Sequence, residues 1–539
     1  MTRRYLDTFS SHVFSLALDD LKRGQIPFYL RDLTPFYLSG DSVVIKTSPY
    51  KASVIRLYIF ESIQKESPMS MLQSTHMLKA LTLSISAALF TTTAYAAPIQ
   101  VMNGNDSGEG SMRAALEAVA SGKANSIIVT TKEEIEINST LVYNGQAPIS
   151  IYGSGQTIET DKNINLLAIT EGADINISGL KFEGPGGFSI ENRGDLDGEA
   201  GKGILVNVRN DQTGTLTVTL NDVEVSGVAG HGIHVSDCDI AENCGAGGGG
   251  EGGGSPASIA VNAYNVHVHD IGYGRVDGDG LRVDERNEGD IHFTAHHSRF
   301  VKVGADGVEL DEGQDGSVIV NVSNVDFSDN GGYCQKDLLE SLLPSPTEAE
   351  FKQGTMMAAS VPAAITGSPD DKCFEREVAL YKDGSVESYE FGIDFDDGFD
   401  IDEAGKGGIQ AVIYASTIRN NLDEGLDLDE EGDGNIDITL VETKATGNTD
   451  DGIKATEEDN GNLNALISSV NSKKNHGEGI TLESKDDGIV TAFIEDSETK
   501  GNDSGKKSGL KIKGEGVITL KDSEIKDGFN AKNAEIIQL

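Results

Sequence analysis

Six stretches of the sequence place carboxylates at fixed offsets from a glycine: Gly280, Gly307, Gly398, Gly425, Gly452 and Gly479. The residue before each is acidic: Asp279, Asp306, Asp397, Glu424, Asp451 and Glu478. Four residues after it stand Asp284, Asp311, Asp402, Asp429, Thr456 and Glu483. Five after it stand Glu285, Glu312, Glu403, Glu430 and Glu457. Stacked in successive layers about 4.8 Å apart, two such charges repel by roughly 0.9 kcal/mol even in water. A column of them calls for a counter-ion. Calcium suits it, as a hard cation taking several carboxylate and carbonyl oxygens. Asp279, Asp284, Asp306, Asp311, Asp397, Asp402, Asp429 and Asp451 are the expected ligands. The competing reading is a solvated acidic face, with the side chains at offset +5 directed into solvent.

A second constellation is local. Seven of the ten histidines lie between His231 and His297, together with Arg275, Arg282, Arg286 and Arg299. His234 and Arg282 share offset +2, so on adjacent layers they become neighbours, with Glu309 next. Asp277, Asp279, Asp284 and His231 fall at the ends of the same row. His267, His269 and His292 fall on other strands and are expected at the surface.

The element that must position these groups is a 27-residue repeat. Gly398, Gly425, Gly452 and Gly479 are 27 residues apart, as are Gly280 and Gly307, and a second glycine follows each leading one by nine. Offsets +1 and +3 are apolar, as in Leu281/Val283 and Phe399/Ile401. So are +11, +13 and +15, as in Val318/Val320/Val322, and a third short run peaks near Val325/Phe327. Each run alternates with period two, which reads as a strand with one buried face. Three short strands per period suit a solenoid in which each repeat makes one turn. Offset +23 is Asn330, Asn421, Asn448, Asn475 and Asn502, with Val303 the exception; asparagine tolerates the left-handed angles of a turn.

With these stacked asparagines, nearly the whole chain after residue 97 resembles the right-handed parallel β-helix of the pectate-lyase-like superfamily. The expected fold is therefore all-β: a right-handed, single-stranded parallel β-helix of 27-residue coils with two loop insertions. Asn105–Arg113 is similar to the opening of many bacterial β-helix proteins, and Ser111 then N-caps a helix over Ala114–Ala120 that covers the first coil. The resemblance also implies a chemistry. Lyases of that superfamily abstract the proton α to a uronate carboxylate with arginine or lysine, while a carboxylate-bound calcium acidifies it. Arg282, His234, His231 and Asp279 are the catalytic candidates on that reading. Related glycosidases use paired aspartates, as at Asp396-Asp397 and Asp450-Asp451, and Gly230-His231-Gly232 resembles a polygalacturonase motif. The order is inverted here and no Arg-Ile-Lys follows, so the hydrolase reading falls away.

Two insertions break the period, at about 238–256 and 331–391, the second with a short helix expected at Lys336–Leu343. Each holds two cysteines, and nearest-neighbour pairing would join Cys238 to Cys244 and Cys334 to Cys373. Residues 1–76 lack the repeat. Met77-Leu-Lys, an apolar run Ala80–Phe90 and Ala94-Tyr-Ala96 form a secretory signal over 77–96, which makes 1–76 an over-extended reading frame and 97–539 the exported domain. The alternative is a cytoplasmic extension with 80–93 as an anchor. The exported part carries 33 Lys/Arg against 80 Asp/Glu, a net charge of −47. That excludes ordinary nucleic-acid and anionic-membrane binding, and no later segment is apolar enough to span a membrane.

The sequence thus points to a periplasmic or extracellular β-helix protein that binds calcium and contacts polysaccharide or a cell-surface polymer. The rival is a calcium-assisted lyase or epimerase acting on uronic-acid polymers. A third reading is a structural surface or adhesion protein. The absence of tryptophan and 6% aromatics argue against a long sugar-stacking groove.

Overall fold

The computed structural model describes residues 97–193, 200–238, 253–343, 353–363, 365, 370–485 and 488–539. Segment 77–96, expected to direct export, and Cys244 lie outside them. Leu281–Glu285, Val308–Gln314, Phe399–Gly405 and Asp429–Gly432 are consecutive members of a twelve-stranded parallel sheet. Each coil also adds strands to a 23-stranded sheet that forms the rest of its circuit. The 27-residue register holds between Leu281 and Val308 and from Phe399 to Ile480, and the insertions leave it in phase, since Ile233 pairs with Leu281 and Val308 with Phe399. The parallel β-helix read from the repeat is the fold.

Alternation explains the core. Offsets +1 and +3 point inward, and Leu281, Val283, Val308, Leu310, Phe399 and Ile401 are fully buried. Phe300, Phe327 and Phe399 stack with ring centroids 5.8 and 5.0 Å apart. The leading glycines are required by close approach rather than by an unusual φ. A Cβ on Gly398 would lie 2.3 Å from Asn421 Nδ2 and 2.5 Å from the carbonyl oxygen of Gly425.

Those asparagines form a buried ladder. Asn421, Asn448 and Asn475 each take the side-chain oxygen of the next asparagine with both backbone N–H and Nδ2, at 3.1–3.2 Å. Asn502 ends the run on Asp527 Oδ2 at 3.0 and 3.1 Å.

The side chains at +5 do not reach solvent. Period two puts them on the same inward face as +1 and +3, and Glu285, Glu312, Glu403, Glu430 and Glu457 are all unexposed. Glu285, Glu312 and Glu457 accept the N–H of the glycine four residues on, at 3.1, 2.9 and 2.5 Å. The carboxyl groups of Glu403 and Glu430 are buried against each other, and that of Glu403 also lies against Glu312. Burial, followed by the charge of neighbouring acids, pushes the carboxyls of Glu285, Glu312, Glu403 and Glu430 up to about 9, 8, 8 and 7.

Helix Met112–Ala120 sends Met112, Ala115, Leu116 and Val119 into the core, and Ser111 Oγ accepts from Ala114 N–H at 3.3 Å. The second insertion contains a helix at Lys336–Leu339, a 3-10 turn at Glu340–Leu342 and an antiparallel pair, Arg376–Leu380 with Val386–Phe391. Cys334 and Cys373 are disulfide-bonded, Cα atoms 5.5 Å apart, within a small core of their own with Ile190, Tyr333, Leu339 and Ile393. Cys238 is disulfide-bonded too. No helix among the described residues is long and apolar enough to cross a membrane.

Two expectations follow. Asn448→Ala removes the ladder's side-chain donor and strands the N–H of Asn421, at a cost of about 2–4 kcal/mol, read from chemical denaturation of the full chain. A loss below about 1 kcal/mol would make the ladder incidental. The raised glutamate pKa values give the second. Folded carboxyls keep protons that the unfolded chain, with ordinary glutamates near 4.3, has released. Their contribution to stability is complete below that pH and lost as pH rises through 7 to 9. Thermal melts in calcium-free buffer should therefore fall from pH 5 to pH 9, less steeply in Glu403→Gln; parallel profiles for parent and variant would refute the assignment.

Candidate functional site

Offsets +2 and +4 point outward from the twelve-stranded sheet, yet much of this face is covered. His234, Arg282, Glu309 and Asp427 are each less than one-tenth exposed. Register places His234 beside Arg282, Arg282 beside Glu309, and Glu309 beside Asp400. The 27-residue offset continues that row to Asp427 and Lys454. Along it the face divides into a basic end and an acidic coil.

At the basic end Arg282 meets five carboxylates: Glu309 at 2.5 Å, Asp284 at 2.7 Å, Asp277 at 2.9 Å, and Asp279 and Asp311 at 3.4 Å. Burial works against its charge, but the carboxylates, Glu309 foremost, outweigh that and hold its pKa well above the usual value. Asp284 also contacts His234 Nε2 at 2.6 Å, and Lys202 Nζ lies 2.7 Å from His234 Nδ1. An ammonium can only donate, so Nδ1 accepts and Nε2–H donates to Asp284. Burial first, then the charge of Lys202, pushes His234 down to about 3. His231 is held neutral by the same two causes, and its Nδ1 sits 3.0 Å from Asp279 Oδ2.

The four residues expected for catalysis therefore do converge. Their charge state differs from what a proton-abstracting arginine requires: Arg282 is a neutralising centre for five acids. Asp284 and Asp311, expected to ligate a cation, are already occupied. Arg282 takes both, His234 also holds Asp284, and Arg286, fully buried, pairs with Asp311. Lys202, which completes the buried chain, was missed because it lies before the first strand that carries the repeat's phrase.

The acidic coil begins at Asp397. Ligand oxygens of Asp397, Asp400 and Asp427 lie within 4.8 Å of one another, as do those of Asp397, Asp423 and Glu424, and those of Glu309, Asp400 and Asp402. Burial and then mutual repulsion raise the pKa values of Asp397, Asp400 and Asp427 well above the carboxylate range. No ion pair reaches Asp397 or Asp400 among the described residues. Lys454 serves the next coil, 2.6 Å from Asp427 and 3.3 Å from Glu424. Asp306 accepts the backbone N–H of Asp397. Asp451 takes Glu478 N–H and Thr481 Oγ, each at 2.5 Å. Asp429 stands 4.0 Å from Lys454. The expected ligands Asp397 and Asp402 thus lie in the cluster, whereas Asp400, Asp423 and Asp427 were not foreseen. Asp400 and Asp427 occupy offset +2, where residue type changes from coil to coil and no column is visible.

No family model matches the sequence, and no curated protein does. Among solved structures, the mannuronan C-5 epimerase A-module of Azotobacter vinelandii aligns with a TM-score of 0.40 at 12% identity, covering 82% of this chain and 99% of that one. A GH136 lacto-N-biosidase from Eubacterium ramulus gives 0.37 at 13%, covering 82% and 68%. A periplasmic alginate epimerase gives 0.30 at 9%, covering 77% of each. At such scores and identities the likeness assigns no chemistry to this chain.

Proposed function

We propose that this is an exported, calcium-binding β-helix protein that contacts polysaccharide or another cell-surface polymer along the outer face of its twelve-stranded sheet. One observation carries the cation: carboxylates on either side along the row meet a built-in positive charge, whereas among the described residues no Lys or Arg pairs with Asp397 or Asp400. Arg282 reaches one coil forward, to Glu309 and Asp311. Lys454 reaches one coil back, to Asp427 and Glu424. Between them lie carboxylates whose mutual repulsion a hard divalent ion would relieve, and calcium accepts the irregular, oxygen-only ligand set they offer. The disulfide of Cys334 with Cys373, the signal-like segment 77–96 and the acidic composition support export. The polymer enters through the position of the second insertion, whose return at Asp394 and Asp396 borders Asp277 and Asp306.

Adding 1 mM calcium to the chelated protein should raise its melting temperature by several degrees, and Asp400→Asn should abolish most of that gain. An unchanged melting temperature, together with no calcium retained on dialysis, would sink the reading.

A lyase or epimerase acting on uronic-acid polymers is the second reading. It is favoured by the buried chain from Lys202 through His234 to Asp284 beside Arg282. A protonated arginine would there neutralise a uronate carboxylate, leaving proton removal to another group. Incubation with uronic-acid polymers, followed by ultraviolet absorbance for unsaturated ends and by analysis of sugar configuration, tests it; Arg282→Ala should abolish any turnover. Polymer retention without turnover identifies a binding module, and neither leaves a structural surface protein.

A further inference from the structure

We propose that the acidic coil holds two divalent cations bridged by the carboxylate of Asp397, rather than a single ion. This rests on the calcium reading above and specifies its stoichiometry.

The geometry supplies two ligand sets with one member in common. Asp397 shares one point with Asp400 and Asp427, and another with Asp423 and Glu424. The first set lies on the outward row of the sheet, and the second in the turn that precedes the Asp427 coil. A carboxylate between two such sets can give one oxygen to each ion. Asp397 is placed for that: it is only 9% exposed, and its Oδ1 is buried with no hydrogen-bond partner among the described residues. An orphaned carboxylate oxygen at that depth is costly unless a cation or a proton meets it.

Charge decides the number. The two sets contain five carboxylates, Asp397, Asp400, Asp423, Glu424 and Asp427. Among the described residues, Lys454 is the ammonium in contact with them. Five negative charges against one positive leave four, which one divalent ion halves and two cancel. Arg282 does not contribute, because its contacts end at Glu309 and Asp311. The third acidic set, Glu309 with Asp400 and Asp402, needs no ion of its own, since Glu309 belongs to Arg282. Two cations sharing a carboxylate stand roughly 3.5–4 Å apart in two-metal sites, a separation that adjacent ligand sets around one side chain can supply.

The test is calcium bound per chain, measured by equilibrium dialysis of the chelated full-length protein. Asp397→Asn should bind two fewer ions than the parent, and Asp423→Asn one fewer. Loss of a single ion from Asp397→Asn overturns the bridge while leaving the calcium reading intact. Equal binding by the parent, Asp397→Asn and Asp400→Asn overturns both, and would mean that protons neutralise the coil. Should Asp397→Asn fail to fold, the parent chain loaded with a mixture of europium and neodymium gives the answer. A bridged pair predicts strong quenching of europium luminescence by neodymium at sub-nanometre range, and unquenched emission overturns the pair.

Discussion

Parallel stacking sets each side chain beside its counterpart one coil away, and between Phe399 and Ile480 the spacing of those counterparts is 27 residues. The consequence depends on the chemistry of the residue repeated. An amide is both donor and acceptor, so Asn421, Asn448 and Asn475 satisfy one another and the backbone at once. A carboxylate is acceptor only, and repeating it places acceptor against acceptor and charge against charge. The acidic columns are where the repeat works against itself.

The protein meets this conflict differently inside and outside the coil. Inside, Glu285 and Glu312 accept glycine N–H groups and hold protons that water-exposed glutamates would lose. Outside, the neutralising groups are side chains: Arg282 at one end of the row, where Lys202 meets His234, and Lys454 further along it. Each cation reaches about one coil, as the length of its side chain allows. Where the outward row runs Glu309, Asp400, Asp427, the reach of Arg282 ends before that of Lys454 begins. The acidic coil is that gap.

The two candidate centres differ in character. Around Arg282 the charges are paired, buried and fixed, which suits holding or orienting a group more than removing a proton from it. At Asp397 and Asp400 no ion pair is present among the described residues, and Lys454 meets only Asp427 and Glu424 of the cluster, which suits taking up a cation. The second insertion returns to the coil at Asp394 and Asp396, beside Asp277, Asp279 and Asp306.

The repeat was legible in the sequence because its period is long, exact and written in residue types with narrow roles. The glycines, the alternating apolar offsets and the asparagines at +23 specified the coil, its register and its ladder. Alternation also contained the inward direction of Glu285, Glu312 and Glu403, since +5 shares a face with +1 and +3, although charge alone suggested solvent. The convergence of His231, His234, Asp279 and Arg282 followed from shared offsets. What spacing did not carry was the partner of each charge. Lys202 lies outside the repeated phrase, and the row Glu309, Asp400, Asp427, Lys454 repeats no residue type. Whether a carboxylate is paired depends on how far a neighbouring side chain reaches across coils, and that is a distance in space, which only the tertiary structure fixes.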